Sequence, residues 1–165
     1  MVGKITRPNR LQKLLHAVFM QRPVTKFFST RANAIDGFIY KVTRGRHTLT
    51  ELLGWYIVHL TTVGAKSGRV STIPLVALPD GERIGLIASN FGGEHHPAWY
   101  YNLKKHPECE ARLGERTGVY IARETDGEER ERLWQMAVAY YAGYEKYKQR
   151  AAPRRIPVIV LEPKK

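Results

Sequence analysis

The stretch TTVGAKSGR, residues 61 to 69, places two glycines, a lysine, a serine and an arginine within one turn. Such a turn can bind a phosphate or a carboxylate through its exposed backbone N–H groups, the Ser67 hydroxyl and the cations of Lys66 and Arg69. The spacing is not that of a P-loop, in which Gly-Lys-Ser/Thr follows a Gly and four residues and opens a helix. A dinucleotide fingerprint also fails, because a strand is predicted after the turn. An anion-binding turn and a solvated basic hairpin tip both stay open.

Three tyrosines, Tyr141, Tyr144 and Tyr147, recur every three residues beside Tyr140. A phenol can hydrogen-bond a carbonyl or nitro oxygen and can give it a proton. The structural alternative is that these rings pack in the core and each hydroxyl finds a polar partner.

Two other chemistries are disfavoured. His95, His96 and His106 could suggest a metal, but adjacent histidines point in different directions and no Cys or paired carboxylate completes a tetrahedral site. A serine hydrolase is disfavoured because the chain has no Gly-x-Ser-x-Gly elbow. We therefore predict no metal site and disfavour a hydrolase.

Short β-forming runs must position these groups. Strands are predicted at residues 55–62, 71–78, 83–89, 108–113, 116–123 and 157–161. Hairpin signals lie at Asp80-Gly81 and Gly114-Glu115. Short antiparallel strands joined by hairpins, with a few helices, indicate an α+β fold containing a small barrel or a strongly curved sheet.

Helices are predicted between and before these strands. Leucines and other apolar residues recur at helical spacing over residues 9–21. Pro97 suits the first turn of a helix over residues 98–105. Thr125 with Glu128 forms a capping box that should begin another helix. We divide the chain into an N-terminal helical extension, residues 1–50, and a cofactor-binding domain, residues 51–165, together one compact unit.

The whole chain is basic. Its 165 residues include 27 Lys and Arg against 15 Asp and Glu, a net charge of +12. This surplus favours an anionic partner: nucleic acid, an acidic membrane surface or a polyanionic small molecule. The single Cys109 fits a reducing cytoplasm. The first residues lack a signal peptide, and no apolar run approaches the roughly 20 residues that cross a bilayer, so a cytoplasmic location is expected.

Three segments of the sequence, taken together, make the interpretation of the basic turn more specific. They are LTTVGAKSGRVSTIPLVAL, ASNFGGEHHPAWYYNLKKHPE and YYAGYEKYKQRAAPRRIPVIVLEP, in that order. Together they resemble the deazaflavin (F420)-dependent nitroreductase family. The resemblance implies an antiparallel split β-barrel, like those that bind FMN, with flanking helices. It also implies an oxidoreductase that transfers hydride from reduced coenzyme F420 to an electron-poor acceptor such as a quinone, a nitroaromatic or an enone.

The resemblance further implies how the coenzyme is held. Its tail carries a phosphodiester and several glutamates, which would use the net positive charge of the chain. Lys66 and Ser67 would grip this tail, with Arg69 as a further cation. Family members often have an arginine where this chain has Ser71, so the geometry of the tail is expected to differ here.

The remaining site residues follow from the same resemblance. The expected contacts of the ring and its surroundings are Pro74, Ala88, Ser89, Asn90, Trp99 and Asn102. Tyr144, and second Tyr141, would face the acceptor as catalytic residues. Trp99 and the tyrosines could instead be core residues.

Two other functions and several partners stay open for this chain. An FMN-binding split-barrel oxidoreductase would share the ring contacts, and a basic nucleic-acid-binding domain would share the charge, although no RNA- or DNA-recognition motif is visible. The basic amphipathic segment near the N-terminus could rest on an anionic membrane, or pack on its own domain. Split barrels often pair, so a homodimer is expected.

Overall fold

The computed structural model describes residue 9, residues 16 and 17, and residues 54 to 165. In this part of the chain the strands are β1 (Tyr56–Val63), β2 (Val70–Asp80), β3 (Arg83–Ile87), β4 (Glu108–Leu113), β5 (Arg116–Glu124) and β6 (Val158–Pro163). The helices are α1 (Ala98–Lys105), α2 (Gly127–Tyr140) and α3 (Gly143–Ala151), with a 3-10 turn at Asn90–Gly92.

The six strands form a closed barrel in the order β1-β2-β3-β6-β5-β4, and every neighbouring pair is antiparallel. Alternate side chains of β1 and β4 point inward, as Val58, Leu60, Ala111 and Leu113 do. This period of two is what a strand with one buried face requires. The prediction of an antiparallel barrel with flanking helices is confirmed.

Two hydrophobic cores position the helices. One fills the barrel and extends beneath α1, which packs on β1 and β5. The other lies outside the barrel, where α2 packs on β2, β3 and β6 and brings Leu133 and Trp134 against the sheet. Successive residues of β6 alternate between the two cores, so this strand is buried on both faces and reads VIVL.

Several predicted boundaries differ from the structure. β3 ends at Ile87 rather than residue 89, because the chain turns there into the 3-10 turn. The capping box is wrong: the buried Thr125 hydroxyl donates to the Val158 carbonyl, 3.0 Å away, and Asp126 is the N-cap. The predicted helix over residues 9–21 and the boundary near residue 50 lie outside the described residues, except that His16 and Ala17 are helical.

None of the helices in the described ranges has the length and apolar character needed to cross a membrane. The basic amphipathic segment near the N-terminus, for which the sequence leaves open both membrane contact and packing on its own domain, lies almost wholly outside those ranges.

An ion-pair network ties the β2–β3 hairpin to α2. The Asp80 carboxylate accepts from Arg83 at 2.6 Å and from Arg132 at 2.8 Å. Arg83 also donates to Glu129, which accepts from Arg123 at 2.6 Å. The hydrogen bond from Arg132 is the main cause that holds the pKa of Asp80 below its ordinary value, against desolvation, which raises it.

Asp80→Asn should therefore lower the free energy of unfolding at pH 7 by about 1 kcal/mol, the scale of a partly screened charged hydrogen bond. A lowered carboxyl pKa stabilises the folded state above the unfolded pKa of about 4, and this contribution is lost as the pH falls through the folded value. Urea unfolding should show the difference from wild type shrinking below about pH 4. The exposed Glu82→Gln is the control, and a difference that stays constant with pH would contradict the prediction.

Candidate functional site

A cavity of about 380 Å³ opens at the barrel wall, within the roughly 300–1,000 Å³ of small-molecule sites. Six residues predicted from the sequence line it: Pro74, Ser89, Asn90, Trp99, Tyr141 and Tyr144. Its other lining residues are Trp55, Leu75, Val76, Leu86, Ile87, Phe91, Pro97 and Tyr147. The lining is mainly apolar and aromatic, with a few polar groups.

Beside this cavity, a stretch of β2 pairs with another described strand on one side only, although the six strands together close the barrel. β2 pairs with β1 from Val70 to Ala77, but with β3 only from Leu78 onward. Pro74, opposite His59 of β1, therefore lies where β2 has a strand partner on one side only, among the described strands. Proline is tolerated there because it has no N–H to leave unpaired. Backbone of this stretch is left facing the cavity.

The loop of residues 88–93 forms a second wall. Its first residue, Ala88, is fully buried and donates its N–H to the Pro157 carbonyl, 3.0 Å away. Asn90 and Phe91 have φ angles of 49° and 55°, in the left-handed region that non-glycine residues seldom occupy. Such strained residues concentrate at functional sites, where the surrounding structure holds them.

Helix α1 places its two predicted site residues differently. Trp99 is buried and lines the cavity, so it is a core residue and a wall residue at once. Asn102 does not line the cavity. Its Oδ1 accepts from the Ala65 N–H at 2.8 Å, and its Nδ2 donates to the Thr62 hydroxyl at 3.0 Å. Asn102 thus holds the basic turn from behind.

The basic turn between β1 and β2 is ordered by its own backbone. The Gly64 N–H donates to the Arg69 carbonyl and the Gly68 N–H to the Gly64 carbonyl, both at 2.8 Å. Lys105 of α1 donates to the Ala65 carbonyl at 2.8 Å. The predicted anion-binding side chains Lys66, Ser67, Arg69 and Ser71 are all exposed. The turn therefore presents its cations to solvent on a fixed backbone.

The tyrosines around the α2–α3 junction divide into two roles. The Tyr140 hydroxyl donates to the Gly54 carbonyl at 2.7 Å, so this residue is structural. Tyr141 and Tyr147 hydrogen-bond to each other at 3.2 Å. The Tyr144 hydroxyl makes no hydrogen bond to the described residues, and its ring lines the cavity. Burial raises the pKa of Tyr141 and of Tyr144, so both hydroxyls stay protonated at neutral pH and can donate a hydrogen bond.

Several residues of this site escaped the sequence analysis. His16 is buried, its ring stacked on Trp55 with centroids 5.2 Å apart and edge-on to Tyr141 at 5.3 Å. His16 therefore contacts two aromatic residues of the cavity wall. Phe91, 47% exposed, lies at the mouth beside Tyr147. Nothing in the spacing of these residues signalled a shared site.

Known proteins resemble this chain over most of its length. The sequence profile of a family described as F420H(2)-dependent quinone reductase matches residues 35–163. An F420H(2)-dependent quinone reductase of Mycobacterium tuberculosis (strain H37Rv) is 33% identical over 128 residues, which cover 74% of this chain and 84% of that protein.

Solved structures resemble it as well. One described as an F420-H2 dependent reductase is 38% identical with a TM-score of 0.60, covering 64% of this chain and 93% of that chain. Another, described as a domain-swapped dimer, is 33% identical with a TM-score of 0.61, covering 85% of this chain and 99% of that chain.

Proposed function

The chain belongs to the F420H(2)-dependent quinone reductase family, and we propose that reduced coenzyme F420 meets its acceptor in the cavity beside β2. The chain is an oxidoreductase that uses this coenzyme to reduce a small-molecule acceptor. The observation that carries the proposal is the placement of an apolar cavity and an exposed basic turn on one strand, β2.

The residues present fit the coenzyme. A flat ring can approach the one-sided stretch of β2 at Pro74, and Ser89 offers polar atoms above the small, buried Ala88. A tail with several negative charges fits the exposed cations Lys66 and Arg69. When bound, the coenzyme supplies the hydride. The protein orients the acceptor beside it and excludes water.

The tail site is built on Lys66, Ser67 and Arg69. Ser71, the next exposed polar residue of β2, carries no charge, so these groups and the backbone of the turn would hold the tail. Asn102 would act through the turn rather than by touching the tail, because both ends of its amide are already bonded.

Asn102→Ala should weaken binding of full-length F420 by about tenfold, because the Ala65 N–H of the turn loses its hydrogen bond and the bond from Asn102 to the Thr62 hydroxyl of β1 is lost as well. The tail-less deazaflavin should bind this variant as it binds wild type. Fluorescence titration with both ligands measures the difference. Lys104→Ala, an exposed change on the same helix that leaves the hydrogen bonds of the turn intact, is the control. Equal weakening for both ligands would contradict this role for Asn102.

The acceptor site is built on the tyrosines. The Tyr144 hydroxyl can donate to an acceptor oxygen, and Tyr141, already bonded to Tyr147, would support it. A flat, uncharged quinone suits a cavity walled by aromatic side chains. A quinone is therefore the acceptor we propose, with the tyrosines as its hydrogen-bond donors.

The experiment that tests the function is titration with reduced F420 followed by addition of a soluble quinone. We expect saturable binding and quinone-dependent oxidation of the coenzyme. A protein that neither binds nor oxidises the reduced coenzyme would refute the proposal. Retention of FMN through purification would favour the FMN alternative instead. The expected homodimer and cytoplasmic location stay predictions.

A further inference from the structure

We propose that Arg154 is a positioning residue that ties the loop of residues 88–93 to the C-terminal end of α3 and so sets the spacing between two walls of the cavity. One wall is this loop, and the other is the tyrosine face of α3. The proposal rests on the proposed function, since it concerns the same cavity, but its structural part stands without a coenzyme.

The guanidinium of Arg154 bonds mainly to backbone carbonyls of the loop. It donates to the Gly93 carbonyl at 2.8 and 3.0 Å and to the Ser89 carbonyl at 2.8 Å. A longer bond of 3.4 Å reaches the Ala88 carbonyl, and His96 Nδ1 lies 3.0 Å away. Ser89 and Gly93 flank the 3-10 turn, so one planar group bridges both ends of it. The planar guanidinium of arginine holds several N–H donors in a fixed geometry, so it suits such a bridge better than the single ammonium of lysine does.

The turn that Arg154 bridges contains two residues with strained backbone angles. Its two left-handed residues, Asn90 and Phe91, each cost free energy that the turn's own contacts must offset. Those contacts include backbone bonds from Gly92 to Ser89 at 3.0 Å and from Gly93 to Asn90 at 2.8 Å. Arg154 adds charge-assisted bonds at both ends, and these are stronger than neutral ones.

The same arginine is anchored to α3. Its backbone N–H donates to the Ala151 carbonyl, the last residue of the helix, at 2.8 Å. Loop and helix touch directly as well: a Cβ on Gly92 would lie 3.0 Å from the Tyr147 backbone. Phe91 lies edge-on to the Tyr147 ring at 6.1 Å. A shift of the loop would therefore move Ser89 and Asn90 relative to the tyrosines.

His96 provides an internal reporter of this arrangement. Its Nδ1 faces a donor, so it accepts and the ring is neutral. Desolvation lowers the pKa of His96, the charge of Arg154 lowers it further, and Glu124 opposes both. The rings of Tyr100 and Tyr101 also face this imidazole. None of the ion pairs found in the described ranges includes Arg154.

The test compares R154M, R154K and the control R155M, which removes the same charge from the exposed neighbour. In the coenzyme-free protein, NMR should show amide exchange at Gly92 and Gly93 at least about tenfold faster in R154M than in R155M, since R154M removes charged bonds from both ends of the turn. The pKa of His96 should rise in R154M. R154K keeps the charge and removes the fork, so it should exchange as fast as R154M while its His96 pKa stays near that of wild type.

Function is measured with coenzyme and quinone both saturating. We expect kcat of R154M to fall about tenfold below that of R155M, because the coenzyme and the quinone are no longer held at the distance and orientation that hydride transfer needs. Unchanged exchange at Gly92 and Gly93, or faster exchange with kcat equal to that of R155M, would overturn the proposal for Arg154. If R154M does not fold, the same comparison is made with R154K, whose exchange must exceed that of R155M.

The two proposals fail separately. If wild type binds no F420 while R154M still accelerates exchange of the loop amides, the proposed function is refuted and the anchoring of the loop by Arg154 stands. If wild type binds and turns over F420 while R154M leaves the exchange of the loop amides unchanged, the proposed function stands and the anchoring role of Arg154 is refuted.

Discussion

Replacing Lys66 and Arg69 together with alanine should weaken binding of full-length F420 by roughly a hundredfold, about tenfold for each cation that no longer bonds to the tail. Both side chains are exposed on a turn whose backbone is fixed by internal bonds, so their removal should leave the fold intact. The measurement is fluorescence titration of the coenzyme at several salt concentrations. Salt should weaken wild type far more than the double variant, because exposed charge interactions are screened.

A matched double variant separates this effect from the reduction in net charge. Arg112→Ala with Lys165→Ala removes two exposed cations outside the turn. It should bind F420 nearly as wild type does. If the two double variants bind equally well, the basic turn is not the tail site, and the proposed placement of the coenzyme along β2 has to be abandoned.

Gly143→Ala should abolish most quinone reduction, by at least about tenfold in kcat, while the basic turn still holds the coenzyme. A Cβ on Gly143 would lie 2.5 Å from the Tyr141 hydroxyl oxygen and closer still to ring carbons of Tyr141. Atoms that are not bonded do not approach so closely, so the Tyr141 ring must move. Trp55 and Tyr144 pack against this ring, with ring centroids 5.2 and 5.5 Å away, and the cavity that Tyr141 lines is the space into which the ring can move. The displaced ring should therefore disrupt the tyrosine wall.

Steady-state kinetics at saturating coenzyme, with thermal unfolding alongside, measures this effect. Gly118→Ala is the control, because its added methyl meets only an ordinary contact of 3.5 Å with the Tyr120 ring. Tyr141→Ala removes the obstacle, so adding Gly143→Ala to it should change little further. A Gly143→Ala enzyme as active as the Gly118→Ala enzyme would contradict the steric account.

The barrel could be predicted because its signals are local. Short β-forming runs and Gly-containing hairpin signals are each read within about ten residues. The capping box failed because its hydroxyl bonds to β6, 33 residues away. A local motif competes with such a distant partner, and the sequence does not indicate which one is formed.

The site was predicted in part for a similar reason. Residues within the three family segments, such as Ser89 and Trp99, line the cavity, whereas Asn102 lies behind the turn. The contacts of Arg154 with Ser89 join residues 65 positions apart. No periodicity or spacing in a single sequence indicates a pairing of that kind.

The stretch of β2 that is paired on one side only also sets a distance between the cavity and the basic turn. From Pro74 to Val70, where the basic turn begins, the strand advances about 13 Å at 3.3 Å per residue. A cofactor with its ring at Pro74 and a shorter tail would place its acidic groups beside Thr72 instead of the basic turn. The Thr72 hydroxyl is already hydrogen-bonded to the Thr61 hydroxyl at 2.7 Å. With the coenzyme placed as we propose, the length of this strand would favour a long-tailed cofactor over a short one that shares the same ring.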